Sequence, residues 1–411
     1  MGVLSVLRRK PEIEIGGTVA PGFEPVLETF RANFRERGEI GAALHVTRDG
    51  ETVVDLWGGE GSARPWTRDT STIVWSSTKG MAAVAFLMLV DRGLLDLEAP
   101  VASYWPGFAR AGKEGITVRT LLNHRAGLVH LPSSLRVQDL ADPERTAPVL
   151  EAARPMWEPG ADQGYHAISW GAFAGELFRR VAGCTLGAFL AAEVCGPLGA
   201  NVRLGLALDD PAREHVVDVL PNKKRQFLRR AIPEMLLRET CEARTYKNVL
   251  RSGSVTGQAF RSGPSLGPAL LFAINDPAVQ VVELPWCGAL ASAEGLARVY
   301  TPLALGGTWK DVTLVRPETL EPVMKTQTWS ERDLVLHKPI GWSQGFCKDE
   351  AHLFSPHPEA FGHSGMGGSV GFADPRERVA VGYVMNRMDW RIRSPRSVEL
   401  CRTLYRVLGV G

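Results

Sequence analysis

Ser76 and Lys79 stand three residues apart in Val74-Trp75-Ser76-Ser77-Thr78-Lys79-Gly80, directly ahead of the apolar run from Met81 to Val90. Residues at that spacing share a helix face, so the amine reaches the hydroxyl if a helix begins near Ser77. An amine so placed can take the hydroxyl proton once burial or neighbouring cations lower its pKa. The chemistry implied is an activated serine attacking a carbonyl, which also needs a proton shuttle and donors aimed at the developing negative charge. Two more short patterns follow in order. Gly164-Tyr165-His166-Ala167 lies in a loop ahead of an apolar helix, and Gly362-His363-Ser364-Gly365-Met366-Gly367-Gly368 lies just before a hairpin. Glycines around Met366 would allow a substrate close to an edge strand. Each pattern has a plainer reading. Ser76 can be a helix N-cap with Lys79 on the surface, Tyr165 an aromatic anchor with a satisfied hydroxyl, and the His363 segment a strand-entry loop.

The elements that must hold these residues are legible from periodicity. Phe23, Val26, Leu27, Phe30 and Phe34 recur at helical spacing, which predicts an amphipathic helix over Phe23–Arg37. Ala42–Val46 and Thr52–Trp57 flank Arg48-Asp49-Gly50, a strand–turn–strand signature. The run after Ser77 is apolar all round, which marks a buried central helix with a stop at Gly93. Ile116–Leu128 reads as a short helix ending at Gly127, with His124 as a structural residue holding a turn. From about 140 to 285 the chain reads as mainly helical, with Trp170–Val181, Leu186–Val194 and the basic Gln226–Leu237 periodic. Strand signals return after Trp286, interrupted by a helix over Ala293–Leu303. Ser369–Ala373 and Arg378–Met385 then form a second hairpin, and Ser394–Leu408 a last helix. The economical architecture is α+β: a terminal antiparallel sheet flanked by terminal helices, with a mainly helical domain inserted in the sequence. The expected division is a sheet domain of residues 1–75 and 286–411 and a helical domain of 76–285, with the active site at their junction.

Composition sets outer bounds. At 411 residues, 45% apolar and 22% charged, the chain can bury a sizeable core in two domains or one composite. A formal charge of +2 gives no argument for nucleic acid. The cluster Lys223-Lys224-Arg225 with Arg229-Arg230 reads as a solvated helix face. Six scattered cysteines without a C-x-x-C pair fit reduced thiols better than a disulfide framework or a zinc site. Met1–Lys10 places its basic residues after the apolar patch, the reverse of a secretory signal, and Val6 defeats a myristoylation reading. No apolar stretch approaches membrane-spanning length. These features together predict a cytoplasmic protein with no membrane span and leave its oligomeric state open.

Three rival sites are weaker. Gly263-Pro264-Ser265-Leu266-Gly267 matches a nucleophile elbow, but prolines crowd Ser265 and no buried strand precedes it. His352, His357 and His363 lie within a dozen residues, yet their spacing is unlike helical zinc signatures and Pro356 and Pro358 break any helix, so no metal is expected. Gly365-x-Gly367 lacks the last glycine of a dinucleotide loop, since Val370 stands there.

The order Ser76-x-x-Lys79, Gly-Tyr165-His-Ala, His363-Ser-Gly, together with Thr120-Leu121-Leu122-Asn123-His124-Arg125-Ala126-Gly127-Leu128, resembles the serine β-lactamase and penicillin-binding protein superfamily. It is most similar to the esterase branch, the family VIII carboxylesterases, which are class C β-lactamase-like. The likeness runs from about Phe23 to the C-terminus and is least familiar over 150–285. It implies a β-lactamase/transpeptidase-like fold, Ser76 as the acylated nucleophile, Lys79 as its proton acceptor and Tyr165 as partner in a Lys–Tyr acid/base pair. His363, Ser364 and Gly365 would replace the Lys-Thr-Gly strand, and the backbone N–H groups of Ser76 and Met366 would bind the oxyanion. No cofactor is required, and the partner is a small-molecule ester. Two departures weaken a lactam reading. Ala167 replaces the asparagine of Tyr-x-Asn, and His363 replaces a permanent cation with a group near half-charged at neutral pH. The resemblance leaves open a β-lactamase, D-amino-acid peptidase or acyl transferase with the same machinery, and a penicillin-recognition fold kept as a binding module.

Overall fold

The computed structural model describes residues 13–62, 64–221, 224–266, 270–348 and 354–410. Expectations placed on Met1–Lys10, Lys223, Gly267 and His352 lie outside the described residues. The frame is a nine-stranded sheet. Its strands are β1 (Ile15–Val19), β2 (Gly41–Arg48), β3 (Glu51–Gly59), β4 (Thr328–Ser330), β5 (Ile340–Ser343), β6 (Phe346–Lys348), β7 (Phe361–Ser364), β8 (Val370–Asp374) and β9 (Val379–Met385). Their spatial order is β1-β3-β2-β9-β8-β7-β6-β5-β4, with every pairing antiparallel. The first and last thirds of the chain meet where β9 pairs with β2 from Val379↔Arg48 to Met385↔Ala42.

Both tight hairpins form where Asp49 and Gly50 take positive φ (52° and 83°) and where Arg378 does (56°), the backbone that right-twisted hairpins require. Along β9 the side chains alternate. Val379, Val381, Tyr383 and Met385 enter one core with Phe30, Phe34, Leu400 and Leu404, which belong to α1 (Glu24–Glu36) and the C-terminal helix Pro395–Val407. Ala380 and Val384 face the other core. There the helix Ala293–Ala304 lies unusually close, because a Cβ at Gly382 would sit 2.1 Å from the Ala293 carbonyl and one at Gly371 2.7 Å from Tyr300.

α2 (Ser77–Asp91) is sandwiched between β7 and β8 on one side and α3 (Ser169–Ala182) on the other. Every residue from Ser77 to Leu89 is buried, as the all-round apolar sequence requires. The helix ends ahead of Gly93, whose φ is +68°. Around this pair the middle of the chain is chiefly helical. A three-stranded sheet ties Thr72–Ile73, Val202–Leu204 and Ala289–Ala291 together just ahead of α2.

Two expectations need correction. The helix read over Ile116–Leu128 is confined to Val118–Leu122, because His124 turns the chain with φ +60° and Gly127 follows with +72°. The strand carrying His363 is also no edge strand. β7 pairs with β8 along its length and with β6 at Phe361 and Gly362, so only His363 and Ser364 have an open side.

The close approach at Gly382 makes a sharp prediction. Gly382→Ala should cost about 1–3 kcal/mol through overpacking, read as a lower urea midpoint with unchanged slope. An unchanged midpoint would show that Ala293 yields without strain.

Candidate active site

From Thr70 to Leu89 a single residue, Ser76, is not buried. It stands at the N-cap of α2, behind Trp75, whose φ of +51° is in the left-handed region. A bulky residue there costs about 1–3 kcal/mol and persists only where its surroundings enforce it. The enforcing contacts are the packing of Trp75 with Ile73, Trp286 and Leu290, and a Val74 N–H that donates to Ala289 O at 2.9 Å.

One helical turn on, Lys79 is fully buried. Its Nζ lies 3.3 Å from Ser76 Oγ, 2.9 Å from Tyr165 Oη, 3.0 Å from the Ala167 carbonyl and 3.1 Å from the Trp286 carbonyl. The Tyr165 hydroxyl closes the triangle at 2.8 Å from Ser76 Oγ. Among the described residues no carboxylate pairs with Lys79, so burial pushes its pKa from 10.5 down to about 7. In the neutral amine the two N–H bonds satisfy the two carbonyls, and the lone pair is left facing the two hydroxyls. Burial drives the Tyr165 phenol upward instead. Tyr165 therefore rests protonated and acts as a relay, while Lys79 is the group able to accept a proton near neutral pH.

A polar network seats the third motif against this triangle. Ser369 Oγ donates to the Val74 carbonyl at 2.7 Å, Ser77 Oγ donates to the His363 carbonyl at 3.2 Å, and the two hydroxyls lie 3.3 Å apart. A Cβ at Gly365 would fall 2.3 Å from the Val74 carbonyl, so only glycine lets the turn come this close to α2. Among the described residues neither the Ser76 N–H nor the Met366 N–H donates to a protein acceptor. Both belong to the two segments that this network holds together.

The wall behind Tyr165 is aromatic and neutral. Trp342 stacks on Tyr165 with ring planes 6° apart. His124 packs 4.1 Å from Trp342 and accepts the His166 N–H on Nδ1 at 3.0 Å. His166 accepts the Leu128 N–H on Nε2, which places its proton on Nδ1, 2.7 Å from the Gly164 carbonyl. Below them Asp333 Oδ1 accepts the N–H groups of Tyr165, Val335 and Leu336 at 2.9–3.1 Å. His363 departs from expectation. It is buried, its Nδ1 meets the Ser364 carbonyl at 2.7 Å, and burial with nearby Lys79 pushes its pKa down to about 3. It is neutral at physiological pH rather than half-charged.

Ser76, Lys79, Tyr165, His363, Ser364, Gly365 and Met366 thus fall around one locus. Ser265 has a different setting: its backbone pairs with Leu135 and Val137 in a loop beside the 132–137 segment. His357 bonds Glu377 and His363 bonds Ser364, so these two histidines do not converge. Four contributors had escaped notice. Ser369 carries a local signal, as a hydroxyl beside a glycine-rich turn. Asp333, Trp342 and the Trp286 carbonyl carry none, since each acts from a remote segment.

A family model described as Beta-lactamase matches residues 29–397. The chain is 32% identical over 379 residues to the Esterase/beta-lactamase LipL of Mycobacterium tuberculosis, covering 90% of this chain and 83% of that protein. Its fold superposes on a crystal structure of a family VIII carboxylesterase with a TM-score of 0.81 at 36% identity, over 96% of this chain and 100% of the other. A penicillin-binding protein homolog from Caulobacter crescentus matches with a TM-score of 0.81 at 35% identity, again over 96% and 100%.

The Lys79 environment fixes a pH dependence. Labelling of Ser76 by a fluorophosphonate should rise as pH passes through about 7 and level off above it. A flat profile between pH 6 and pH 9 would move the proton acceptor elsewhere. The same shift sets a stability trend. The unfolded lysine titrates near 10.5 and the folded one near 7, so stability falls as pH drops from about 10.5 to about 7 and loses nothing more below that. Lys79→Met should remove this slope from urea midpoints measured across the same range.

Proposed function

The chain belongs to the beta-lactamase family, and from that premise we propose that it is a serine hydrolase cleaving carboxylic esters, short-chain ones among them, through an acyl-Ser76 intermediate. The observation that carries this reading is the buried triangle of Ser76, Lys79 and Tyr165, with a lysine titrating near 7 and no carboxylate among the described residues beside it. The esterases among its relatives support the same reading.

Ser76 Oγ attacks the ester carbonyl while its proton passes to Lys79, directly or through the Tyr165 hydroxyl. The carbonyl oxygen takes the negative charge opposite the N–H groups of Ser76 and Met366. Each such donor is worth about 10²–10³ in rate. On collapse the alcohol leaves with the proton returned by the Lys79–Tyr165 pair. Water then attacks the acyl-Ser76 carbonyl, gives its proton to the same pair, and releases the acid and the free serine. Every proton is returned, and no cofactor enters. The reading seats the site at the junction between residues 1–75 with 286–411 and residues 76–285. The six free thiols support a cytoplasmic placement.

A lactamase, D-amino-acid peptidase or acyl-transfer reading uses the same serine, and the likeness to the penicillin-binding protein homolog favours it. Two features weigh against it. Ala167 contributes its carbonyl to Lys79 and no side-chain amide to a substrate. His363 is neutral, and so offers no cation to a substrate carboxylate.

Ser76→Ala should abolish turnover of p-nitrophenyl acetate and butyrate, and fluorophosphonate should leave one adduct on the Ser76 peptide. An adduct on Ser265 overturns the assignment. Tyr165→Phe should slow ester turnover by about 10²–10⁴. Nitrocefin turnover rivalling that of the short esters would favour the lactamase reading.

A further inference from the structure

The helices Lys224–Leu237 and Cys241–Leu250 pack on each other and carry several exposed apolar side chains. Leu228, Ile232, Leu236, Leu237 and Leu250 are 42%, 40%, 74%, 81% and 72% exposed, while Ala231 and Ala243 face inward and are buried. Leu228, Ile232 and Leu236 recur every four residues and so form one stripe. Scattered exposed leucines are ordinary on a protein surface, but a stripe of them on one element marks an interaction face.

Charge decides what the face can meet. Residues 224–251 hold eight Lys and Arg against three Glu, a net +5 in a chain whose total is +2. All three carboxylates are engaged, Glu234 by Arg238 at 3.7 Å, Glu239 by Lys247 at 3.8 Å and Glu242 by the Cys241 thiol at 3.1 Å. An exposed aliphatic stripe on a strongly basic helix is the pattern of an element that lies in a lipid–water interface. No single helix among the described residues is long and apolar enough to cross a membrane, and the pattern of this helix is that of an element lying on a surface.

The second helix of the pair is also hydrogen-bonded to loops of the candidate active site. Thr245 Oγ1 donates to the Leu336 carbonyl at 2.9 Å and Arg244 to the His337 carbonyl at 3.2 Å, both in the loop whose Asp333 holds Tyr165. The Tyr246 hydroxyl bonds the Trp390 carbonyl, and the neighbouring Asp389 N–H donates to the Gly367 carbonyl at 3.1 Å, in the turn that carries Met366.

We infer that this helix pair docks the protein on an anionic lipid surface through Leu228, Ile232, Leu236, Leu237 and Leu250, drawn there by the net positive charge of residues 224–251. The inference stands apart from the ester reading, because it rests on the exposed face and its charge and not on Ser76.

The test uses the full chain in flotation with vesicles of phosphatidylcholine alone or of phosphatidylcholine and phosphatidylglycerol in equal parts. Binding to the anionic vesicles is expected at low ionic strength, with little to the neutral ones and loss at high salt. The double variant Leu236→Glu, Leu237→Glu should weaken anionic binding at least about tenfold. Because both residues are exposed, its urea midpoint and its reactivity towards fluorophosphonate in vesicle-free buffer should match the parent. No binding to anionic vesicles, or undiminished binding by the variant, overturns the inference. So does a dimer of the parent that the variant converts to monomer, since the face would then belong to a second copy of the chain.

Discussion

The Lys79 amine is enclosed in protein with no carboxylate among the described residues to balance it, and the rest of the site is arranged around that condition. A buried ammonium without a counter-charge is costly, so the group gives up its proton near neutral pH instead. Its surroundings match the neutral form. Two carbonyls take its two N–H bonds, a phenol and a hydroxyl face its lone pair, and the neighbouring Cys287 is held as a thiol by burial. The nearby histidines obey the same constraint. His363, His166 and His124 are kept neutral first by burial, with Lys79 adding to the effect in each case. Protonating any of them would set its charge against that of a protonated Lys79.

Holding such a site demands precision from segments far apart in the chain. The carbonyls come from Ala167 and Trp286, the hydroxyls from Ser76 and Tyr165, and the backing ring from Trp342. The sheet brings the ends of the chain together through the β2–β9 pairing, and α2 is then wedged between sheet and helical layer. Close approach is achieved by absent side chains. Gly365 admits the Val74 carbonyl and Gly382 admits the helix that begins at Ala293. Strain at Trp75 and the Ser77–Ser369 contact lie on either side of the serine and fix the backbone that carries it.

Much of this was readable beforehand. Ser76 and Lys79 lay in a short motif whose residue types name their chemistry, Tyr165 entered through the family resemblance, and the central helix announced itself by being apolar on every side. The hairpin at Asp49-Gly50 followed from turn residues between alternating strands, and the second from the strand signals either side of Asp374-Pro375-Arg376-Glu377. The misreadings have physical causes. The helix over Ile116–Leu128 ended early because His124 adopts a left-handed backbone, which composition does not signal and which is fixed by the packing of its ring on Trp342 and Tyr165. Half-charged His363 was the expectation for an imidazole in water, whereas this one is buried beside a lysine.

Periodicity and motif order by themselves determined the main helices and hairpins of the α+β architecture, the serine and lysine on one helix face, and the tyrosine loop that follows, because each depends on residues near one another in the chain. Tertiary structure decided the rest. The lysine's pKa, the neutrality of His363, the carbonyl role of Ala167, the support from Asp333 and Trp342, and the exposure of Leu236 and Leu237 all depend on what distant segments bury or leave open. Desolvation and partner geometry are properties of the packed interior, and no local pattern encodes them.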